Sequence, residues 1–409
     1  MPEINAERVL ADLRALKALA PYESGVHRPT LSPEHVASLR WLAAELKAIG
    51  HETMIDGIAN VFGLSKAQGP RVLGGSHLES QNHAGWLDGP LGVVYALEAA
   101  RVIHADPAFA DCGVDVIACC DEEGHFGNFL GSRSAVGELD EAAIDAAVDR
   151  TRGTPMREAL AAAGLAGAPR HVIDPRRYVG FLEAHIEQGD WLEANDLRIG
   201  VVTRIVGIRQ YLITTEGVQN HAGTTRMAIR KDAGVAAARI AVAISDRFPE
   251  IAGERTVWTM GRITFDPGAP SVIPGRAELI LQMRDPENAV LDRLEAAAAA
   301  IVAEADKHGP CRARLVQTRR TEPAAMAPHV MDAVRAAAEA RAPGRHVDMP
   351  SGAGHDAMVF AHHMPSGMLF VPSIGGISHH WKENTSDADI VTGARVYVDA
   401  VARLLKATP

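Results

Sequence analysis

The chain has 409 residues, enough for two or three domains at ~150 residues each and for a real buried core. Hydrophobic residues make up 47% and charged residues 22%, the balance of a soluble globular protein. The net charge of −10, from 41 Lys and Arg against 51 Asp and Glu, excludes the concentrated basic surface that nucleic acid requires. No apolar run reaches the ~18 residues of a membrane span. The opening, MPEINAERVLADLRALKAL, lacks the basic-then-apolar pattern of a secretory leader. Cys112, Cys119, Cys120 and Cys311 make no CxxC pair and no disulfide framework. Reduced thiols and a cytoplasmic protein are the expectation.

Helical patterns are expected over 6–19 and 33–49, the second closed by Gly50 as a C-cap. The apolar run 72–75 reads as a buried strand ending in Ser76-His77. A helix over 91–103 follows, then a second buried strand over 114–120 that runs straight into Asp121-Glu122-Glu123. Strands alternating with helices predict an α/β layered domain with a mostly parallel central sheet. Such sheets place their sites just past the strand C-termini. The middle of the chain has another rhythm. A long strand over 199–216, a helix over 233–245, strands over 257–265 and 277–283, a helix over 287–308 and a strand over 312–317 give the order β-α-β-β-α-β. That is the split βαβ unit of a small, ferredoxin-like α+β domain. Helix returns over 328–340, with an apolar strand near 367–371. The prediction is a domain of residues 207–321 inserted into a larger one of 1–206 and 322–409, with hinges near 204–208 and 319–323.

Five stretches combine Gly-rich turns with His or carboxylates. In the first, His77 ends a strand and Asp88 follows eleven residues later in a Gly-flanked turn, so both can converge on one metal. In the second, Asp121, Glu122 and Glu123 end an apolar strand, a costly arrangement without a cation nearby. One of these carboxylates can bind metal while another takes a proton from water. In the third, alternation puts Glu183, His185 and Glu187 on one side of an extended segment. In the fourth, His221 lies between small residues ahead of a helix. In the fifth, Gly-rich turns hold His355-Asp356 and His379-His380, with Glu383 close behind. Each stretch alone also has an ordinary reading: a helix cap, a solvated acidic loop, a buried hydrogen-bonded His. Their conjunction points to a dinuclear site. Mixed nitrogen and oxygen donors suit Zn, Mn, Co or Ni rather than Ca or Mg.

The motifs GSHLES…WLDGPLGV, DEEG…FLGSR, EAHIEQG, NHAGTTRM, SVIPG…QMR, SGAGHDAM and GGISHHWKE, in that order, resemble the zinc-peptidase-related amidohydrolases. These include N-carbamoyl-L-amino-acid hydrolase, β-ureidopropionase and allantoate amidohydrolase. The resemblance runs from about residue 5 to the C-terminus. It implies a zinc-peptidase-like catalytic domain and an inserted lid/dimerisation domain. It implies two divalent metal ions, with Asp88 bridging, His77 and His185 on one ion, and Glu123 and His379 on the other. It implies Glu122 as general base in hydrolysis by metal-activated water, and His221 as an oxyanion-stabilising residue that reaches the partner's site in a homodimer. Arg284 matches the clamp on a substrate carboxylate. Gln188, Ser271, Arg230 and His355 are further substrate-binding candidates. Glu79 orients a metal ligand from behind.

Four departures stand out. Glu79 replaces a usual Asp, Ser271 a usual Asn and Arg226 a usual Pro. The stretch after Glu123 is one residue short, with His125 in place of a small residue and Arg. The expectation is a hydrolase of the amide or ureido C–N bond of a small N-carbamoyl- or N-acyl-amino-acid-like substrate, with altered specificity. The alternatives are an aminoacylase, a dipeptidase or an aromatic-amine-releasing hydrolase of the same fold. A non-catalytic binding protein would call for loss of a ligand or of the base, and all are present.

Overall fold

The computed structural model of the chain describes residues 1–407. The chain divides into two compact units: Met1–Thr203 with the chain from Ala325 onward, and Arg204–Ala324.

The larger unit is built on a nine-stranded sheet. Its centre is parallel, with Gly113–Cys119, Arg71–His77, Gly180–Ile186 and Ser366–Val371 side by side. Every residue of these four strands is buried. Strands buried on both faces need helices above and below, which is why they read as continuous apolar runs rather than as alternation. The long helices Pro90–Ala105 and Asp387–Ala407 help supply that cover. They meet through Tyr95 and Tyr397, whose ring centroids lie 5.9 Å apart, and the Tyr397 hydroxyl donates to the Leu182 carbonyl at 2.8 Å. The sheet is mixed rather than mostly parallel throughout. Val61–Leu64 and Glu52–Ile55 extend one side antiparallel, and Ile199–Ile205 does so on the other.

The second unit carries a four-stranded antiparallel sheet in the order Val257–Asp266, Arg276–Asp285, Gly207–Glu216, Arg312–Thr321. Alternate residues Tyr211, Ile213, Leu279, Leu281 and Met283 are buried. They pack on Ile240, Ile244, Leu291 and Leu294 of the helices Ala233–Arg247 and Asn288–His308. The strand expected over 199–216 is in fact two. Ile199–Ile205 pairs in the nine-stranded sheet and Gly207–Glu216 in the four-stranded one, with the break at Val206. Apolar periodicity runs through the break because both halves are buried, so hydropathy alone does not reveal it.

Candidate metal centre

The parallel strands deliver their C-terminal ends to one edge of the sheet, and the candidate ligands sit there. His77 is the last residue of its strand. Asp88 lies in the turn before the Pro90–Ala105 helix, followed by Gly89 at φ +85°. A Cβ at Gly89 would stand 2.5 Å from the His77 ring, so only glycine lets the turn close over that imidazole. Glu122 and Glu123 follow Gly113–Cys119, and His185 is the penultimate residue of Gly180–Ile186. His379 comes from a late loop at φ +53°.

These residues form two groups that share Asp88. Asp88 Oδ1 lies 3.4 Å from His77 Nε2 and 3.0 Å from His185 Nε2. Asp88 Oδ2 lies 3.3 Å from His379 Nε2, which is 3.6 Å from Glu123 Oε2. In each group the candidate donor atoms lie within 4.8 Å of one another. Glu122 Oε2 stands beside them, 3.7 Å from His77 Nε2.

The hydrogen bonds behind the imidazoles test whether this set fits a cation. His77 Nδ1 lies 3.1 Å from the Glu79 carbonyl, and His185 Nδ1 lies 2.9 Å from the Ile186 carbonyl. A carbonyl only accepts, so both Nδ1 atoms carry hydrogen and the other nitrogen of each ring, Nε2, faces the Asp88 carboxylate. Carboxylates gathered in a buried site need positive charge beside them, and an Nε2 that gives up its hydrogen there becomes a ligand for a cation. Among the described residues no Lys or Arg ion-pairs with Asp88, Glu122 or Glu123. The donor set therefore fits divalent cations of the imidazole- and carboxylate-binding kind.

Burial would lower both His77 and His185, but Glu122 and Asp88 hold His77 well above its usual value and Asp88 holds His185 above its own. Burial alone would raise the Asp88 carboxyl, but the His185, His379 and His77 imidazoles outweigh it and hold it well below the usual range. Burial drives the Glu122 carboxyl well above its usual value, and neighbouring Glu123 adds to this against the pull of His77. His379 is pushed up to about 9, chiefly by its hydrogen bond to Asp88.

The surrounding contacts assign the remaining polar groups. Asp121, the third acid of its run, sits at φ +64°, and its carboxylate accepts the amides of His125, Phe126 and Gly127. It caps a loop and does not face the two groups. Glu79 does not hold His77 through its carboxylate, which is 3.9 Å from Nδ1. Its Oε1 instead accepts the Glu122 backbone N–H at 2.7 Å. Gln188 donates to Asp88 Oδ2 at 3.0 Å and to the Ser378 hydroxyl at 3.2 Å, so its amide reaches the ligands themselves. His355 is buried. Its ring lies 4.6 Å from that of His185, and its Nε2 is 3.0 Å from Ser351 Oγ. That packing commits it behind a ligand. His380 stacks on Trp381 at 3.9 Å, which leaves His379 as the member of the pair at the centre. Gln81 was not singled out from the sequence. Its backbone and side-chain amides grip Glu123 Oε1 and Oε2 at 3.0 and 2.8 Å. Its only signal is its place beside the His77 motif.

The other candidates lie on the second unit. His221 is exposed, and its Nδ1 accepts the amides of Gly223 and Thr224 at 3.0 and 3.2 Å. The ring hydrogen is thereby left on Nε2 as a donor. Arg230 spends its guanidinium on the Thr225 and Ala222 carbonyls, bracing the His221 loop rather than offering an open fork. The Ser271 carbonyl accepts the Ala222 amide at 2.8 Å in the same brace. Arg284 is half-buried on the Arg276–Asp285 strand, and its Nε donates to Gln282 Oε1 at 3.0 Å.

Residues 72–403 match the family described as Peptidase family M20/M25/M40. An N-carbamoyl-L-amino-acid amidohydrolase of Paenarthrobacter aurescens is 36% identical, covering 100% of this chain and 99% of its own length. An allantoate amidohydrolase of Bacillus subtilis (strain 168) is 33% identical over 94% of both chains. The crystal structure of an amidase of the hydantoinase/carbamoylase family from Burkholderia phymatum superposes with a TM-score of 0.91 at 44% identity. It covers 100% of this chain and 99% of that one.

Proposed function

The chain belongs to the peptidase M20/M25/M40 family, and from that premise we propose that it hydrolyses the ureido C–N bond of an N-carbamoyl-amino-acid-like substrate with two divalent cations and Glu122 as its base. It is an amidohydrolase of non-peptide C–N bonds. The observation that carries the metal reading is the pair of imidazoles tied back through Nδ1 whose Nε2 atoms converge on one shared carboxylate.

Two cations held by His77, His185, Asp88, Glu123 and His379 would polarise the scissile carbonyl and lower the pKa of the attacking water. Among the described residues no backbone amide donates to the Glu122 carboxylate, which lies 3.7 Å from His77 Nε2. The Glu122 main chain is pinned by Glu79, which fixes where that carboxylate stands. It takes a proton from water and returns it to the leaving nitrogen. His221 offers Nε2–H to the oxygen that gains charge, and Arg284 offers a guanidinium fork to the substrate carboxylate.

The division 1–206 with 322–409 against 207–321 then becomes a catalytic part and a ferredoxin-like lid and dimerisation part. A homodimer, with His221 serving the partner's site, suits the exposure of His221 and of Val257, Ile263 and Phe265 on the edge strand Val257–Asp266.

The test uses Mn- or Zn-loaded protein with a panel of N-carbamoyl, N-acetyl, ureido and dipeptide substrates, following ammonia and free amine together. Ammonia with free amine from a carbamoyl member is expected. Free amine without ammonia moves the assignment to acyl-amide hydrolysis. No turnover of any member by protein holding two ions removes the carbamoyl assignment.

A further inference from the structure

We propose that Glu383 is a positioning residue whose buried carboxylate locks the Asp88 turn to the His379 loop and so presents Asp88 as the shared ligand. The inference rests on the two-cation reading above.

Glu383 is 1% exposed, and its hydrogen bonds reach both loops. Oε1 accepts the Asp88 amide at 3.2 Å and the Leu87 amide at 3.3 Å. Oε2 accepts the Ser378 hydroxyl at 3.1 Å, and that hydroxyl lies 3.4 Å from Asp88 Oδ2. Leu87 and Asp88 are buried, and a buried backbone amide needs an acceptor. Glu383 supplies that acceptor from 295 residues away. The same carboxylate grips the serine next to His379. One side chain thus fixes two ligand-bearing turns against each other.

Gly85 supports the assignment independently. A Cβ there would lie 1.8 Å from Glu383 Oε1, and its three nearest atoms all belong to the Glu383 carboxylate. The space above Gly85 is therefore occupied by that carboxylate, and alanine at this position would displace it first. Gly85 and Glu383 should act as one device.

The experiment is calorimetric titration of chelator-stripped protein with Mn²⁺ alone. The thermal midpoint of each metal-free variant is measured alongside, and activity is followed across a Mn²⁺ series. Wild type is expected to take two Mn²⁺. Glu383→Ala should weaken the second by at least about tenfold while the metal-free protein still unfolds in one cooperative transition, and excess Mn²⁺ should restore turnover. Glu383→Gln keeps an acceptor oxygen, so its loss should be smaller. It carries the test if the alanine variant does not fold. Gly85→Ala should mimic Glu383→Ala, and the double variant should be no worse than either single one. Binding of two Mn²⁺ by all variants within about twofold of wild type, or additive defects at positions 85 and 383, overturns the proposal and leaves the two-cation reading standing. Failure of wild type itself to bind two Mn²⁺ overturns that reading and the proposal with it.

Discussion

Glu79 is one methylene longer than the aspartate usual in sequences that resemble this one, and its carboxylate reaches the residue beside Glu123 rather than the His77 ring. It accepts the Glu122 amide at 2.7 Å, while its own carbonyl takes over the His77 imidazole. Burial pushes the Glu79 carboxyl up to about 8, so the group sits where charge is costly and contact is the gain. Glu79→Ala is expected to lower kcat about tenfold with KM little changed, because the base loses its anchor while the ligands keep theirs. Glu79→Gln, which still offers an oxygen, should retain most of the rate. Equal kcat in all three forms by steady-state kinetics would rule this anchor out. The ligand candidates were legible in the sequence because each ends an apolar strand or sits in a Gly-flanked turn. Of the groups that hold them, Glu79, Gln188 and Glu383 stood out as residues, but what each touches did not, and Gln81 did not stand out at all. Gln81 acts on Glu123 from 42 residues away and Glu383 on Asp88 from 295, and no local pattern encodes contacts of that range.

The elements explain why the ligands meet. Three parallel strands end together, and each contributes a ligand close to its C-terminal end. That geometry followed from fully apolar strands alternating with helices. The antiparallel flanks and the strand break at Val206 did not, since they depend on which sheet a buried strand joins. One joint between elements also sets a pH dependence. His51, in the turn after the Pro33–Ala48 helix, places Nε2 2.9 Å from the Val114 carbonyl of the Gly113–Cys119 strand. Burial outweighs that bond and lowers the His51 pKa below 6.5. The unfolded chain therefore binds a proton more readily than the folded one below the unfolded value, so stability is lost as pH falls through about 6.5. His51→Gln is expected to flatten this loss. Urea unfolding of metal-free protein at pH 7 and pH 5 checks it, and equal pH slopes for the two proteins would count against it.

On the scale of the whole molecule, the metal candidates all belong to the larger unit, whereas His221 and Arg284 belong to the other. The division itself was readable from the change in rhythm between buried parallel strands and alternating antiparallel ones. What the second unit does for the first is a question about assembly, and it has a direct test. If His221 serves the partner's site, neither Glu122→Gln nor His221→Ala is active alone. A mixed dimer of the two has one site with both its own Glu122 and the partner's His221 intact. Random mixing gives half mixed dimers with one working site of two, so about a quarter of wild-type activity should return. If His221 acts within its own chain, every site in the mixture lacks one residue or the other, and no activity returns. Unfolding both variants together and refolding them as a mixture, with each refolded alone as control, separates the two arrangements.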